Sequence, residues 1–308
     1  MSEARAVVFA YHDVGVRCLR TLLSGGVAVP LVVTVPDDPR EQQWFASVAA
    51  TAADYGLDVV APEDPHAPRL IRRVSELQPD FVFSFYYRSM LGVPLLRAAR
   101  RGALNMHGSL LPKYRGRAPV NWAILRGEHE TGATLHYMVE RADAGDIVDS
   151  QAVPILLDDD AREVFTKVTV AAETVLARSL PALIAGTAPR REQPILAGQY
   201  FGRRRPEDGR IDWSRPALEI HNLVRAVAPP FPGAFGNVDG ERWEIHRTRL
   251  AGAVSAPLGA TLFGSGGGCY LACGDGASLR LLAAANARGP VDLAALAGRA
   301  AQQPLPLS

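Results

Sequence analysis

Three residues of this chain have the types and placement that acyl-transfer chemistry calls for. The densest polar cluster is Leu104 to Pro119, LNMHGSLLPKYRGRAP, and within it Asn105 and His107 stand at i and i+2. On a β-strand that spacing turns both side chains to one face. A second polar loop, Arg141 to Asp146, brings Asp143 close to the end of another strand-like run. Asparagine offers a neutral amide donor to a developing oxyanion. Histidine titrates near the operating pH, and a carboxylate beside it favours its charged form. The same residues have a plainer reading as a turn former, a structural histidine and a loop cap, and spacing alone leaves the two readings open. Gly108 permits close backbone approach, and Arg115 and Arg117 add cations to the loop. No G-x-S-x-G or H-E-x-x-H motif occurs, and no G-x-G-x-x-G follows the first strand.

These residues need a scaffold, and the pattern around them predicts one. Ala6 to Ala10, Val29 to Val35, Asp58 to Ala61 and Asp80 to Phe85 read as short buried strands. Between them lie helical patterns: one through Leu19, Leu22 and Leu23 that stops at Gly25-Gly26, one carrying Trp44-Phe45 to about Tyr55, and one over Leu70 to Leu77. Strand and helix alternating at this pace indicate βαβ units and a parallel sheet. Asn105 and His107 would then sit at the carboxyl end of a strand, Ala103 to Asn105, where open α/β sheets bind ligands. The turn Tyr11 to Gly15 could also set a helix N-terminus against an anion, a weak signal with one glycine. Asn121 to Arg126 reads as a helix, Ala133 to Val139 and Ile147 to Ile155 as strands, and Ala161 to Ile184 as a long amphipathic helix. After about Gly202 short β-like runs at Trp243, Gly259, Tyr270 and Leu279 alternate with glycine turns, which suggests a small open barrel. The expected organisation is residues 1–190 as an α/β catalytic domain, 191–202 as a linker and 203–308 as a β-rich domain.

The chain has 308 residues, 33 basic and 32 acidic, and only Lys113 and Lys167 are lysines. A net charge of +1 with 48% hydrophobic residues fits a folded globular protein and argues against one built to grip nucleic acid. Three cysteines, Cys18, Cys269 and Cys273, form no disulfide framework and no zinc pattern. A reduced, cytoplasmic setting is expected. The N-terminal apolar stretch is too short for a signal core, and no run reaches the ~18 apolar residues of a membrane span.

The stretches AVVFAYHDVG, FVFSFYYRSML, LNMHGSLLPKYRGRAP, MVERADAGDI, YFGRRRPEDG and HNLVRAVAPPFPGAF resemble the 10-formyltetrahydrofolate-dependent formyltransferases. The resemblance covers nearly the whole chain. It is closest to the formyltransferase domain of the bifunctional polymyxin-resistance proteins, which formylate UDP-4-amino-4-deoxy-L-arabinose. The family motif N-x-H-x-S-L-L-P reads Asn105, His107, Ser109, Leu110, Leu111 and Pro112. The resemblance implies a Rossmann-like, mostly parallel sheet and a C-terminal domain related to an open β-barrel. It implies that Asn105 stabilises the tetrahedral oxyanion and that His107 is the general acid. Asp143 would hold His107 protonated and help take the proton of the attacking amine. The folate would lie against Ser89, Met90, Leu91 and Arg117 and along Val139, Glu140, Arg141, Ala142 and Asp143. No metal and no covalent intermediate are implied. The bifunctional relatives carry an NAD-dependent decarboxylase half that has no counterpart in these 308 residues, so only formyl transfer carries over. A separate decarboxylase partner is left open, as is the oligomeric state.

Methionyl-tRNA formyltransferase is the first rival for the acceptor. That family uses a basic insertion and a positive C-terminal domain to hold tRNA. Here Pro36 to Val48 contains Asp37, Asp38, Arg40 and Glu41, a net of −2, and Pro206 to Ser308 holds nine arginines and nine acids. Phosphate binding needs unpaired cations, so a small sugar nucleotide is the expected acceptor. Another amino sugar nucleotide, or a folate- or nucleotide-sensing protein without turnover, stays as an alternative. Arg204, Arg225 and Tyr86-Tyr87-Arg88 read equally as sugar-nucleotide contacts or as packing residues.

Overall fold

The computed structural model describes residues 4–36, 43–195, 200–252, 254, 257 and 259–308. Asp37, Asp38, Arg40 and Glu41, used above in the charge argument, lie outside them. The chain divides into two compact units. The first contains residues 1–119, 130–153 and 166–202, and the second contains 120–129, 154–165 and 203–308.

The elements of the chain up to the site are β1 (Arg5–Ala10), α1 (His12–Ser24), β2 (Ala28–Val33), α2 (Val48–Asp54), β3 (Val59–Val60), α3 (Pro68–Glu76), β4 (Phe81–Phe85), α4 (Val93–Arg97) and β5 (Gly102–His107). There follow β6 (Arg115–Gly116), α5 (Pro119–Leu125), β7 (Glu130–Tyr137), β8 (Ile147–Pro154), α6 (Ala161–Ala185) and β9 (Tyr200–Phe201). The first unit's main sheet runs β3-β2-β1-β4-β5-β7-β8. β3 through β5 are parallel, and β7 lies antiparallel to β5. β1 and β4 are apolar along nearly their whole length because helices cover both faces of a parallel sheet. Val7, Phe9, Leu31, Val33, Val82 and Leu95 form the heart of one core cluster. The strand order reverses direction between β1 and β4, the kind of switch point at which α/β sheets receive ligands.

Three expectations change here. Trp44 and Phe45 precede α2 rather than belonging to it, and Phe45 stacks on His12 with ring centroids 3.9 Å apart. Within the expected linker, Arg191 bridges to Ile147 and Gln193 is buried, while residues 196–199 lie outside the described residues. α6 is long and apolar enough to cross a membrane by length and composition, although no comparable run was expected. Half of that apolar window is buried within the protein, on the repeating stripe Val164, Val168, Ala171, Ala172, Val175 and Leu176, as a core helix requires.

The second unit adds α7 (Ala217–Ala226), β10 (Ala234–Val238), β11 (Glu241–Leu250), β12 (Thr261–Ser265), β13 (Gly268–Ala272), β14 (Ser278–Asn286), β15 (Gly289–Pro290), α8 (Leu293–Gln302) and β16 (Leu305–Pro306). Its antiparallel sheet runs β10-β11-β14-β13-β12-β16. Val238 bridges to Leu307, and Asn237 and Ser308 exchange backbone hydrogen bonds, so the sheet is nearly closed. The glycine cluster of the sequence is the β12–β13 hairpin, with Gly266 and Gly267 both at positive φ. Residues 120–129 and 154–165 join this unit through bonds that sequence distance hides. Asn121 donates to the Ala226 carbonyl, and Arg225 donates to the carbonyls of Leu156 and Asp159. Arg225 is therefore a buried structural cation, and Arg204 lies over the Trp122 ring at 5.1 Å.

Candidate functional site

The site starts from the register of β5 and β7. Asn105 lies opposite His136, and His107 opposite Thr134. Cross-strand partners stand shoulder to shoulder on one face, so Asn105, His107 and His136 converge. The loop after β7 then carries Asp143 to them, with Asp143 itself at φ +51°. Asp143 Oδ1 lies 3.6 Å from His107 Nδ1, 3.6 Å from His136 Nε2 and 3.5 Å from Asn105 Nδ2. Its Oδ2 accepts the Gly116 backbone N–H at 2.9 Å.

The loop is held in place by a residue the sequence reading assigned to a linker. Gln193, 4% exposed, donates from Nε2 to the carbonyls of Gly145 at 2.5 Å and Asp143 at 3.2 Å. Gly145 passes so close to the Tyr137 carbonyl that a Cβ there would meet the oxygen at 2.0 Å. Gly108 is equally constrained, because a Cβ would overlap the buried Tyr86 hydroxyl at 1.8 Å. The sequence signalled Gly108 and singled out Tyr86 as a contact or packing residue, but nothing local signalled His136 or Gln193.

The partners define what each group can do. His107 Nε2 lies 2.9 Å from the Tyr114 carbonyl, so both ring nitrogens face an acceptor. An imidazolium, with an N–H on each nitrogen, satisfies both. His136 Nδ1 lies 2.9 Å from the Tyr137 carbonyl, which leaves Nε2 to receive the Asn105 amide at 3.1 Å. One amide proton of Asn105 is thereby fixed. The other makes only the long 3.5 Å approach to Asp143, so it is weakly held. Burial pushes the Asp143 carboxyl up, but the His107 ring, the neighbouring His136 ring and the Gly116 N–H outweigh it. The carboxyl is held well below the usual carboxylate range.

The expected folate contacts separate into distinct places. Ser89 and Met90 are exposed, and Leu91 is buried in the core cluster. Arg117 is exposed, and its backbone N–H bonds the Phe201 carbonyl. Glu140 and Arg141 are exposed, and Ala142 is half-buried. Val139 lines an open cavity of about 690 Å³ with Leu96, Met138, Ala144, Gly145 and Asp146. That cavity does not reach Asn105, His107 or Asp143, but its wall includes the loop that carries Asp143. Arg115, expected as a loop cation, is instead buried at 3% exposure in β6.

A second cluster occupies the switch point, at the carboxyl ends of β1 and β4. Arg88 lies over the Tyr11 ring at 4.4 Å, and His12 is enclosed by Trp44 and Phe45. Burial, with the Arg88 charge, lowers the His12 pKa to about 3. The three cysteines are buried and free, with Cys269 and Cys273 pushed up to about 11 and about 12 by burial. Among the described residues no group of three or more His, Cys, Asp or Glu side chains is placed to hold a metal ion.

Known proteins share this architecture. Residues 5–180 match the formyl transferase family, and residues 204–296 match the formyl transferase C-terminal domain. The solved structure of WlaRD, a sugar 3N-formyl transferase in the presence of dTDP and 5-N-formyl-THF, aligns with a TM-score of 0.72 at 19% identity, over 95% of this chain and 99% of that one. The N-formyltransferase from Helicobacter canadensis, in complex with folinic acid and dTDP-3-aminofucose, aligns at 0.69 and 21%, over 91% and 98%. HypX from Aquifex aeolicus, in complex with tetrahydrofolic acid, aligns at 0.65 and 18%, over 93% of this chain and 45% of that one. At these identities the likeness is one of fold. The two domain matches together take in both units, and the chain belongs to the formyl transferase family.

Proposed function

We propose that this protein transfers a formyl group from 10-formyltetrahydrofolate to the amine of a sugar nucleotide. The convergence of Asn105, His107 and Asp143 carries the reading. The acceptor amine attacks the formyl carbon, forming a C–N bond and an oxyanion. The weakly held proton of the Asn105 amide serves as donor to that oxyanion. Asp143, kept ionised by its surroundings, accepts the proton released by the amine. His107 then protonates the departing folate nitrogen as its bond to the formyl carbon breaks. No metal enters these steps. The cavity beside Val139 and Met138 offers the folate an apolar wall next to the Asp143 loop.

UDP-4-amino-4-deoxy-L-arabinose is the acceptor the motifs favour, and with it a role in lipid A modification and polymyxin resistance, as in the ArnA branch. A second reading has its own support: WlaRD and the Helicobacter canadensis enzyme are described with dTDP and dTDP-3-aminofucose, so a dTDP-linked amino sugar is the alternative acceptor. The near-neutral charge speaks against methionyl-tRNA. The test is a panel of UDP- and dTDP-linked amino sugars and methionyl-tRNA, each with 10-formyltetrahydrofolate, read by mass. Formylation of the UDP-linked 4-amino pentose alone supports the first acceptor. Robust formylation of the tRNA reverses the assignment, and binding without turnover on any acceptor refutes the enzyme reading.

A further inference from the structure

Arg115 takes no part in the formyl-transfer steps. It is 3% exposed, and its Nε and Nη1 are buried without a hydrogen-bond partner. A guanidinium stays charged at any physiological pH. Burying two of its donors without an acceptor is costly, and native proteins keep such a group where something completes it. Its neighbours tie it to the catalytic cluster. The Tyr114 carbonyl faces His107 Nε2, and the Gly116 N–H donates to Asp143. The segment is covered by β9 through a sheet of two residues per strand, one Arg117–Phe201 backbone bond of 2.9 Å and the Tyr114–Phe201 ring contact. So small a sheet is marginal by itself and can part to admit a ligand.

Resting on the formyl-transfer reading, we infer that Arg115 receives an oxyanion of a bound substrate. The planar array of guanidinium donors matches carboxylate and phosphate oxygens. Both proposed substrates carry such a group, the diphosphate of the sugar nucleotide and the glutamate carboxylate of the folate. Arrival of the anion at Arg115 would set the Tyr114 and Gly116 backbone groups that hold His107 and Asp143.

The test is calorimetric binding to wild type, Arg115→Gln and Arg115→Lys. The probes are UDP, uridine, 5-formyltetrahydrofolate and the analogue of it in which a neutral methylamide replaces the glutamate. The expected result is a loss of about tenfold or more in one anionic arm for Arg115→Gln. The matching anion-free probe should bind wild type and variant alike, which a merely structural role would not produce. Loss for UDP assigns phosphate, and loss for the folate assigns carboxylate. Both anionic probes binding the variants within about twofold of wild type overturns the inference and leaves formyl transfer standing. Wild type that binds neither probe overturns both. Should the variants fail to fold, a crystal structure of wild type with UDP and 5-formyltetrahydrofolate decides, and a guanidinium touched by no ligand oxygen overturns the inference.

Discussion

Replacing Gly145 by alanine should disable the site without touching any reacting group. The new Cβ would lie 2.0 Å from the Tyr137 carbonyl oxygen, a backbone atom fixed on β7. An ordinary carbon–oxygen contact needs about 3.3 Å, so the loop must retreat by roughly 1.3 Å. Asp143 is two residues away, and the retreat would pull its Oδ2 from the Gly116 N–H, now at 2.9 Å. It would also disturb the Gln193 bonds to Gly145 and Asp143. A displacement of about 1 Å at a catalytic group costs about 10²-fold in rate, and the overpacking costs about 1–3 kcal/mol of stability. Steady-state formyl transfer on the accepted sugar nucleotide, with thermal unfolding in parallel, measures both. A Gly145→Ala enzyme with kcat/KM within about threefold of wild type would refute the claim that this close approach positions Asp143.

Further outcomes follow from the same geometry. His107→Ala and Asp143→Asn should each cut turnover by about 10²–10⁴-fold with the circular-dichroism spectrum unchanged, and near-wild-type turnover in either would sink the mechanism. His12, ordinarily near 6.5, is lowered to about 3 in the folded protein, so the unfolded chain binds the extra proton between those values. Stability should therefore fall as pH drops from 6.5, by roughly 3 kcal/mol at pH 4 from this residue. His12→Asn should flatten urea-unfolding stability over that range, and parallel wild-type and variant curves would contradict the burial argument. Asp143, depressed below 3.8, adds stability above that value and loses it as pH falls further, which Asp143→Asn should remove at pH 2–4. Arg225→Met should destabilise the second unit by about 2–4 kcal/mol by orphaning the Leu156 and Asp159 carbonyls, read by chemical denaturation.

The strands β1, β4 and β5 were legible because a buried parallel strand is a run of apolar residues, and AVVFA and FVFSF are such runs. Asn105 and His107 were legible as a pair because a strand's period of two places them on one face whatever lies around it. α7 went unread although it packs on β11, and β10 went unread although Asp239-Gly240 turns it straight into its partner β11. His136 was equally silent. Its place depends on the β5–β7 register, which an antiparallel pairing across some 30 residues sets. Gln193 sat in a Pro- and charge-rich stretch that composition marks as a linker, yet two carbonyls bury it.

Local chemistry in the chain was enough to establish the alternating α/β framework, the small β unit and the identity of the candidate trio, because period, turn residues and motif are properties of neighbours. Folding established the rest. The Asp143 loop reaches Asn105 and His107 only because Gln193 and a side-chain-free Gly145 let it close on β7. Arg115, a loop cation by sequence, is paired into β6 against β9 and buried with its Nε and Nη1 lacking an acceptor. Burial and partnership are sums over residues distant in sequence, and no short stretch of the chain contains them.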